Sequence, residues 1–343
     1  MFADYRRSHD YIRSHESSEK NFAVPLRARL PTVSSTLRAA FEQRERPLVL
    51  DGGMGTSLRR LGQRAPFERL SVENPSLVER VLSGFVDARC DIVSTNTFCA
   101  ERSTVEGYEF SAAFDARWKA VAAERGYRDL PTTLWHESVR LARSAADRSR
   151  GRCFVAGSIG PTGLTSEREA DLREQMSTFL DAGVDALLVE TCTSRAGALL
   201  AGRVARELLD EHERDVLLII SFTLSATGDI APASSRTGEA SELRELDADI
   251  VALNCGFGID GFDEALGRLR QLVDVPLGAY PNAGLPEERD GELVYPVDAA
   301  EFTQRVQELG ARHDLGLIGG CCGASSDHIR RLTPAFPPAA PPQ

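Results

Sequence analysis

Residues 153–191 read CFVAGSIGPTGLTSEREADLREQMSTFLDAGVDALLVET, a strand, a loop, a helix and a second strand in succession. The two end segments, CFVAGSIG (153–160) and DALLVET (185–191), are short apolar runs with little polar alternation. That is how parallel strands covered on both faces read. Between them Ser166 and Glu169 form a capping box ahead of Leu172, Met176, Phe179 and Leu180, and Gly183 is placed to stop the helix.

The unit recurs in both directions along the chain. PLVLDGG (47–53), DIVSTNTF (91–98), VLLIISFT (216–223), DIVALNCG (249–256), PLGAYPN (276–282) and LGLIGGCC (315–322) bring the strands to eight. Asn74-Pro75 opens a helical stripe of Leu77, Val78, Val81, Leu82 and Phe85, and Asp298 with Glu301 repeats the capping box before Phe302, Val306 and Leu309, with Gly310 as the stop. Eight β-then-α units predict an α/β fold, a single (β/α)8 TIM barrel over 45–333. The competing architecture is a doubly wound open sheet with DGGMGT as its dinucleotide loop, but Gly52, Gly53 and Gly55 lack the GxGxxG spacing. Three stretches fall outside the repeat. An Arg/Ser/Glu-rich N-terminal extension, 1–44, is expected to be mobile or packed on the barrel exterior, with a short helix near 34–44. An insertion after strand two, 104–135, carries both tryptophans, Trp118 and Trp135, and reads as a lid, an oligomer contact or a surface ornament on the catalytic face. A Pro-rich tail, 334–343, reads as extended.

Composition removes several functions. Among 343 residues, 40 Lys+Arg face 51 Asp+Glu, a formal charge of -11 without a basic stripe, which argues against a nucleic-acid partner. No apolar run approaches a membrane span of about 20 residues. The first residues lack the apolar stretch of a secretory signal, so the expected location is the cytoplasm. Lysine occurs only at Lys20 and Lys119, neither at a strand end, which disfavours a Schiff base. The six histidines fall mostly in the tail or in predicted helices, which disfavours an imidazole-rich metal site.

Barrel chemistry belongs at the C-terminal strand ends, and there cysteine stands out. Strands six and eight share a parity, so Cys255 can face the Cys321-Cys322 pair across the mouth, and three soft thiolates suit zinc with one position left open for substrate. The alternatives are buried unreactive thiols or a vicinal disulfide. Cys90 and Cys153 begin strands at the wrong end, and Cys99 and Cys192 lie nearer the mouth without a partner. Asp51 and Glu190 at the same rim could be a general acid/base pair or could bind an ammonium group. GSIGPTG (157–163) and the glycines after Asp51 suit a small carboxylate, so the whole describes a site for a zwitterionic amino acid with a soft terminal group.

DGGMGT, STNTF, GSIGPTG, DAGVDALLVET, NCG, YPNAG and GGCCG, in that order over 47–330, resemble the homocysteine S-methyltransferase family, a zinc-dependent barrel. The resemblance implies Zn2+ held by Cys255, Cys321 and Cys322, Asp51 and Glu190 on the substrate amino group, and Gly52 and Thr97 where backbone groups receive its carboxylate. It implies methyl transfer to homocysteine from a small-molecule donor, S-methylmethionine or S-adenosylmethionine, with betaine or a corrinoid protein as alternatives. A cobalamin-binding module would need a further domain, for which 343 residues leave no room. A zinc barrel serving only as a binding subunit is the competing class, and a homo-oligomer stays open. The chain departs from the family at Asp87-Ala88-Arg89-Cys90 and Ala100-Glu101-Arg102, and the 104–135 insertion and the SATGDIAPASSRTG loop (225–238) lie on the donor side.

Overall fold

The computed structural model describes residues 36–149, 153–161, 166–212, 215–225, 228, 230, 243, 245–256, 258–289 and 292–336. The expectations for 1–35, for most of the 225–238 loop, for the Ser166 cap and for the 337–343 tail lie outside the described residues.

Eight parallel strands form the barrel: β1 (Leu48–Val49), β2 (Ile92–Ser94), β3 (Phe154–Ile159), β4 (Ala186–Cys192), β5 (Leu217–Thr223), β6 (Ile250–Cys255), β7 (Leu277–Pro281) and β10 (Leu315–Ile318). They are hydrogen-bonded in the order β1-β10-β7-β6-β5-β4-β3-β2. The ring closes between its ends. Leu50 bridges Ile92, and the N–H groups of Asp51 and Asp91 donate to the carbonyls of Ile92 at 3.0 Å and Val49 at 2.7 Å. Between β7 and β10 the chain makes an antiparallel hairpin, β8 (Glu287–Arg289) and β9 (Glu292–Val294), which no strand pattern in the sequence announces.

The unbroken apolar strands serve two cores at once. Along β4 and β5, Ala186, Leu188, Leu217 and Ile219 fill the barrel interior, while Leu187, Val189, Leu218 and Ile220 pack outward under the helices. At the strand starts, three aspartates repeat one device. Asp91, Asp185 and Asp249 accept the backbone N–H of Val49, Val155 and Leu218 at 2.7, 2.8 and 2.7 Å. Each also pairs with arginine: Arg46, Arg143, and Arg38 with Arg206. A strand-end N–H left in the interior is costly, and a short anionic acceptor satisfies it.

Three local expectations need correction. The helix near 34–44 exists as Leu37–Glu42, capped by Thr36, but it is not an exterior ornament: Leu37 and Phe41 join the inner core and close the N-terminal end of the barrel. Gly310 does not end its helix, which runs Ala299–His313 and turns at left-handed Asp314; instead, a side chain at Gly310 would collide with Phe336. The 104–135 insertion gives way at Leu130 to the barrel helix Leu130–Asp147, opened by a capping box of Asp129 and Thr132. Trp135 therefore sits in that barrel helix, fully buried, with Nε1 donating to the Ala100 carbonyl at 2.6 Å. Trp118, on the helix Ala112–Arg125, is half-buried and donates to Asp115 at 3.1 Å. Neither tryptophan lines the cavity at the strand ends; from the insertion, Tyr108 does. Trp135→Phe keeps most of the buried ring but orphans the Ala100 carbonyl, so a loss of about 1–3 kcal/mol is expected. Denaturant unfolding should show it, with ligand binding unchanged.

No helix among the described residues is long and apolar enough to cross a membrane.

Candidate metal and substrate site

A cavity of about 640 Å³ opens at the C-terminal ends of the strands, and all seven residues singled out from the sequence line it: Asp51, Gly52, Thr97, Glu190, Cys255, Cys321 and Cys322. The backbone aims the cysteines. Cys255 ends β6 in the left-handed region at φ 55, followed by Gly256 at φ 69, so the chain turns sharply at the sulfur. Asn282 holds that turn by donating Nδ2 to the Gly256 carbonyl at 3.0 Å. On the other side, Cys321 N–H donates to the Pro281 carbonyl at 2.8 Å and the Cys322 carbonyl accepts from Ala283 at 2.9 Å. Gly323 then turns at φ 82 with the Tyr295 ring where a Cβ would be.

The sulfurs of Cys255, Cys321 and Cys322 lie within 4.8 Å of one another, the only such group of three among the described residues. Hydrogen bonds from Cys321 and Cys322 hold the Cys255 thiol down, to about 3. The same bonding to Cys255 pushes Cys321 well up, and Cys322 up to about 11. The remaining cysteines are placed as the sequence implied. Cys90 and Cys153 are buried together with sulfurs 3.8 Å apart, and Cys192 is buried. Cys99 lines the cavity, its thiol pushed up to about 12 by burial.

Asp51 follows β1 and Glu190 lies in β4, both lining the cavity. Asp51 is buried; Ser94 donates to it from its backbone at 2.8 Å and from its hydroxyl at 2.9 Å. Glu190 is half-buried and accepts from Ser158 Oγ at 2.5 Å. Among the described residues neither carboxylate has an arginine or lysine within ion-pair distance. Desolvation by the surrounding barrel pushes both up to about 7, and the Asp51 charge adds to the rise at Glu190. Two desolvated acids face one cavity with no ion-pair partner among the described residues, although Arg59 and Arg60 line the same cavity, and such a pair can receive an ammonium group.

Gly52 and Thr97 frame the same cavity. A side chain at Gly52 would strike the Ala324 carbonyl and the Phe85 ring. Thr97 is fully buried, its hydroxyl committed to the Ser158 carbonyl at 2.7 Å and to Thr95 Oγ1 at 2.6 Å, so its side chain braces β3. The sequence reading does not single out Ser94, Ser158, Glu68 or Tyr295. Ser94 and Ser158 stand at strand ends within the quoted strand segments and could have been found there. Tyr295 returns from the β8–β9 hairpin, and Glu68 comes from the long loop after the helix Met54–Arg60. Glu68 is buried in the cavity wall and accepts the Cys99 N–H at 2.9 Å.

A family model described as Homocysteine S-methyltransferase matches residues 48–336. Methionine synthases of Mycobacterium leprae (strain TN) and Mycobacterium tuberculosis (strain ATCC 25618 / H37Rv) are each 28% identical over 308 residues, 85% of this chain. The chain spans about a quarter of the length of those relatives, 24% and 25%. The metallated form of the homocysteine methyltransferase MmuM from Escherichia coli shares the fold with a TM-score of 0.64 at 22% identity, over 87% of this chain and 99% of that one.

Proposed function

The chain belongs to the homocysteine S-methyltransferase family, and on that premise we propose that it moves a methyl group from a sulfonium donor, S-methylmethionine or S-adenosylmethionine, to the thiol of homocysteine, giving methionine. The barrel, 45–333, is the homocysteine-binding part, and the cytoplasm, which keeps thiols reduced, is the compartment. One observation carries the reading: three converging sulfurs and two carboxylates with no ion-pair partner among the described residues share a single cavity.

The cysteines fit zinc. Thiolates about 2.3 Å from a common tetrahedral centre would stand about 3.8 Å apart, so sulfurs already within 4.8 Å need only a small closure. Zinc held by Cys255, Cys321 and Cys322 would supply a fourth position at which the homocysteine thiol loses its proton while its sulfur stays electron-rich. Asp51 and Glu190 then grip the ammonium group, and the backbone at Gly52 and Thr97 meets the carboxylate. The substrate is thereby held by three chemically different groups, which fixes where its sulfur points. That sulfur attacks the methyl carbon in line; the new S–C bond forms as the old one breaks, its electron pair leaving with the donor as a neutral thioether.

The rest of the cavity lining carries both signs: Glu68 and the rings of Phe67, Phe98, Tyr108 and Tyr295 offer a cationic donor a carboxylate and aromatic faces, while Arg59, which stands over the Phe67 ring, and Arg60 oppose it. The test is turnover of zinc-loaded protein with homocysteine and each of S-methylmethionine, S-adenosylmethionine, betaine and methylcobalamin, with methionine detected by mass. Methionine from a sulfonium donor is expected. Methionine only from betaine or the corrinoid would overturn the donor, and none from any donor would leave a binding subunit.

A further inference from the structure

We propose that Asn254 is a positioning residue that couples the metal ligands to the substrate-binding carboxylate Glu190: one buried amide holds Cys321 with one hand and the end of β4, which carries Glu190, with the other. The inference rests on the functional reading above and adds to it a residue that touches neither substrate nor metal.

Asn254 is fully buried and immediately precedes Cys255 in β6. Its amide makes four contacts. Nδ2 donates to Thr191 Oγ1 at 2.7 Å and to Cys321 Sγ at 3.8 Å. Oδ1 accepts from the Thr191 N–H at 3.1 Å and from Ser221 Oγ at 3.0 Å. Two N–H groups and two lone pairs are the whole capacity of a primary amide, so nothing is left over. The orientation is forced as well, because a backbone N–H can only donate and must meet the oxygen. Ser221 Oγ in turn contacts the hydroxyl of fully buried Tyr280. The network therefore crosses the floor of the mouth from β4 through β5 and β6 to β7, and ends on a sulfur beyond β10.

The clamp on Thr191 has a conformational reason. Thr191 stands at φ 60, a left-handed backbone that a β-branched residue adopts only under constraint. Asn254 supplies the constraint from both sides of the residue, its N–H and its hydroxyl. Glu190 is the preceding residue, so the peptide that Asn254 fixes is the one from which the Glu190 side chain is aimed. Cys255, next to Asn254 itself, is left-handed too, at φ 55. Of these two left-handed positions, the Asn254 amide holds the one beside Glu190, and the other is its neighbour in the chain.

The N–H···S contact gives the other half of the coupling. A donor beside a thiolate fixes the direction of the sulfur and draws off part of its charge, and loss of such outer partners costs metal affinity about 10- to 100-fold. Aspartate is nearly isosteric with asparagine but brings no N–H, so Asn254→Asp removes the contact to Cys321 while keeping the volume, and the Thr191 hydroxyl can turn to donate to the carboxylate in place of accepting from the amide.

The experiment uses the full chain with Asn254→Asp, Asn254→Ala, Thr191→Gly and the double variant Asn254→Ala/Thr191→Gly. Zinc affinity is read by chelator competition, the cysteine environment by the sulfur-to-cobalt charge-transfer band of the cobalt-loaded protein, homocysteine affinity by calorimetry, and folding by thermal melting. Asn254→Ala and Asn254→Asp should each lose zinc affinity by about tenfold and shift the cobalt band. Asn254→Ala should also weaken homocysteine binding by about tenfold, an effect that shrinks to less than about threefold in the Thr191→Gly background, because glycine takes the left-handed conformation unaided. An unchanged zinc affinity and cobalt band in Asn254→Asp would overturn the tie to Cys321. A loss of homocysteine affinity just as large in the Thr191→Gly background as in the unaltered one would overturn the tie to Glu190. If the alanine variant fails to fold, near-isosteric Asn254→Leu, which offers Thr191 no polar atom, gives the same comparison in the two backgrounds. Failure of the unaltered protein to bind homocysteine would count against the functional reading instead, and the zinc arm would still decide the role of Asn254.

Discussion

Cys255→Ser should lose zinc affinity by more than about 100-fold, beyond the range seen when only an outer partner is removed. A serine hydroxyl is a hard, protonated oxygen at neutral pH, and two thiolates on adjacent residues cannot complete a soft tetrahedral set. Metal analysis after dialysis against a weak chelator would show about one zinc per chain in the unaltered protein and little in the variant. Homocysteine-dependent methyl transfer should fall with it, by about 1000-fold or more, since the thiol would have to react largely protonated. Cys99→Ser is the matched control: Cys99 lines the same cavity but stands apart from the triad, so zinc content should be retained. Equal zinc in the Cys255 and Cys99 variants would show that the cysteine cluster does not hold the metal.

Glu190→Gln should weaken homocysteine binding by about 10- to 100-fold, the value of a charge-assisted contact of about 1.5–3 kcal/mol, with zinc content unchanged. Its pH dependence is more diagnostic than its size. Asp51 and Glu190 are both raised to about 7, so each binds its proton more tightly in the folded protein than in the unfolded chain. For the ligand-free protein this contributes stability at low pH that is lost as pH rises through 7. An ammonium ligand reverses the preference, because it binds the ionised pair and expels the protons. A homocysteine analogue with no thiol, such as 2-aminobutyrate, removes the metal's own pH dependence from the measurement. Its affinity should rise from about pH 6 to about pH 8 in the unaltered protein, and more shallowly in Glu190→Gln, which keeps only one titrating acid. A flat profile in both would assign the carboxylates another role.

How far the chain could be read depended on whether a signal was local. The strands were legible because a parallel strand in a barrel must be apolar on both faces, and Leu187-Leu188-Val189 or Leu218-Ile219-Ile220 shows that in consecutive residues. The cysteine cluster was legible because strand parity converts sequence order into opposition across the mouth. Helix limits were less so. Gly310 resembles a stop, yet its lack of a side chain serves Phe336, a partner that only the folded chain brings near. The cap at Asp129 and Thr132 is a local signal, but it lies inside a stretch that reads as one insertion, which hides the true start of the helix containing Trp135. The helix Leu37–Glu42 is too short to declare its destination, and its burial depends on the open end of the barrel it fills. The Asn254 network lay beyond sequence reading altogether: asparagine at a strand end is ordinary, and its partners come from positions 191, 221 and 321.

The most direct measurement is zinc-edge X-ray absorption of the zinc-loaded protein before and after homocysteine. Three sulfur neighbours at about 2.3 Å are expected in the free protein and four once homocysteine is bound, since the substrate thiol takes the position the three cysteines leave open. A sulfur count that stays at three while homocysteine is demonstrably bound would contradict thiol activation at the metal.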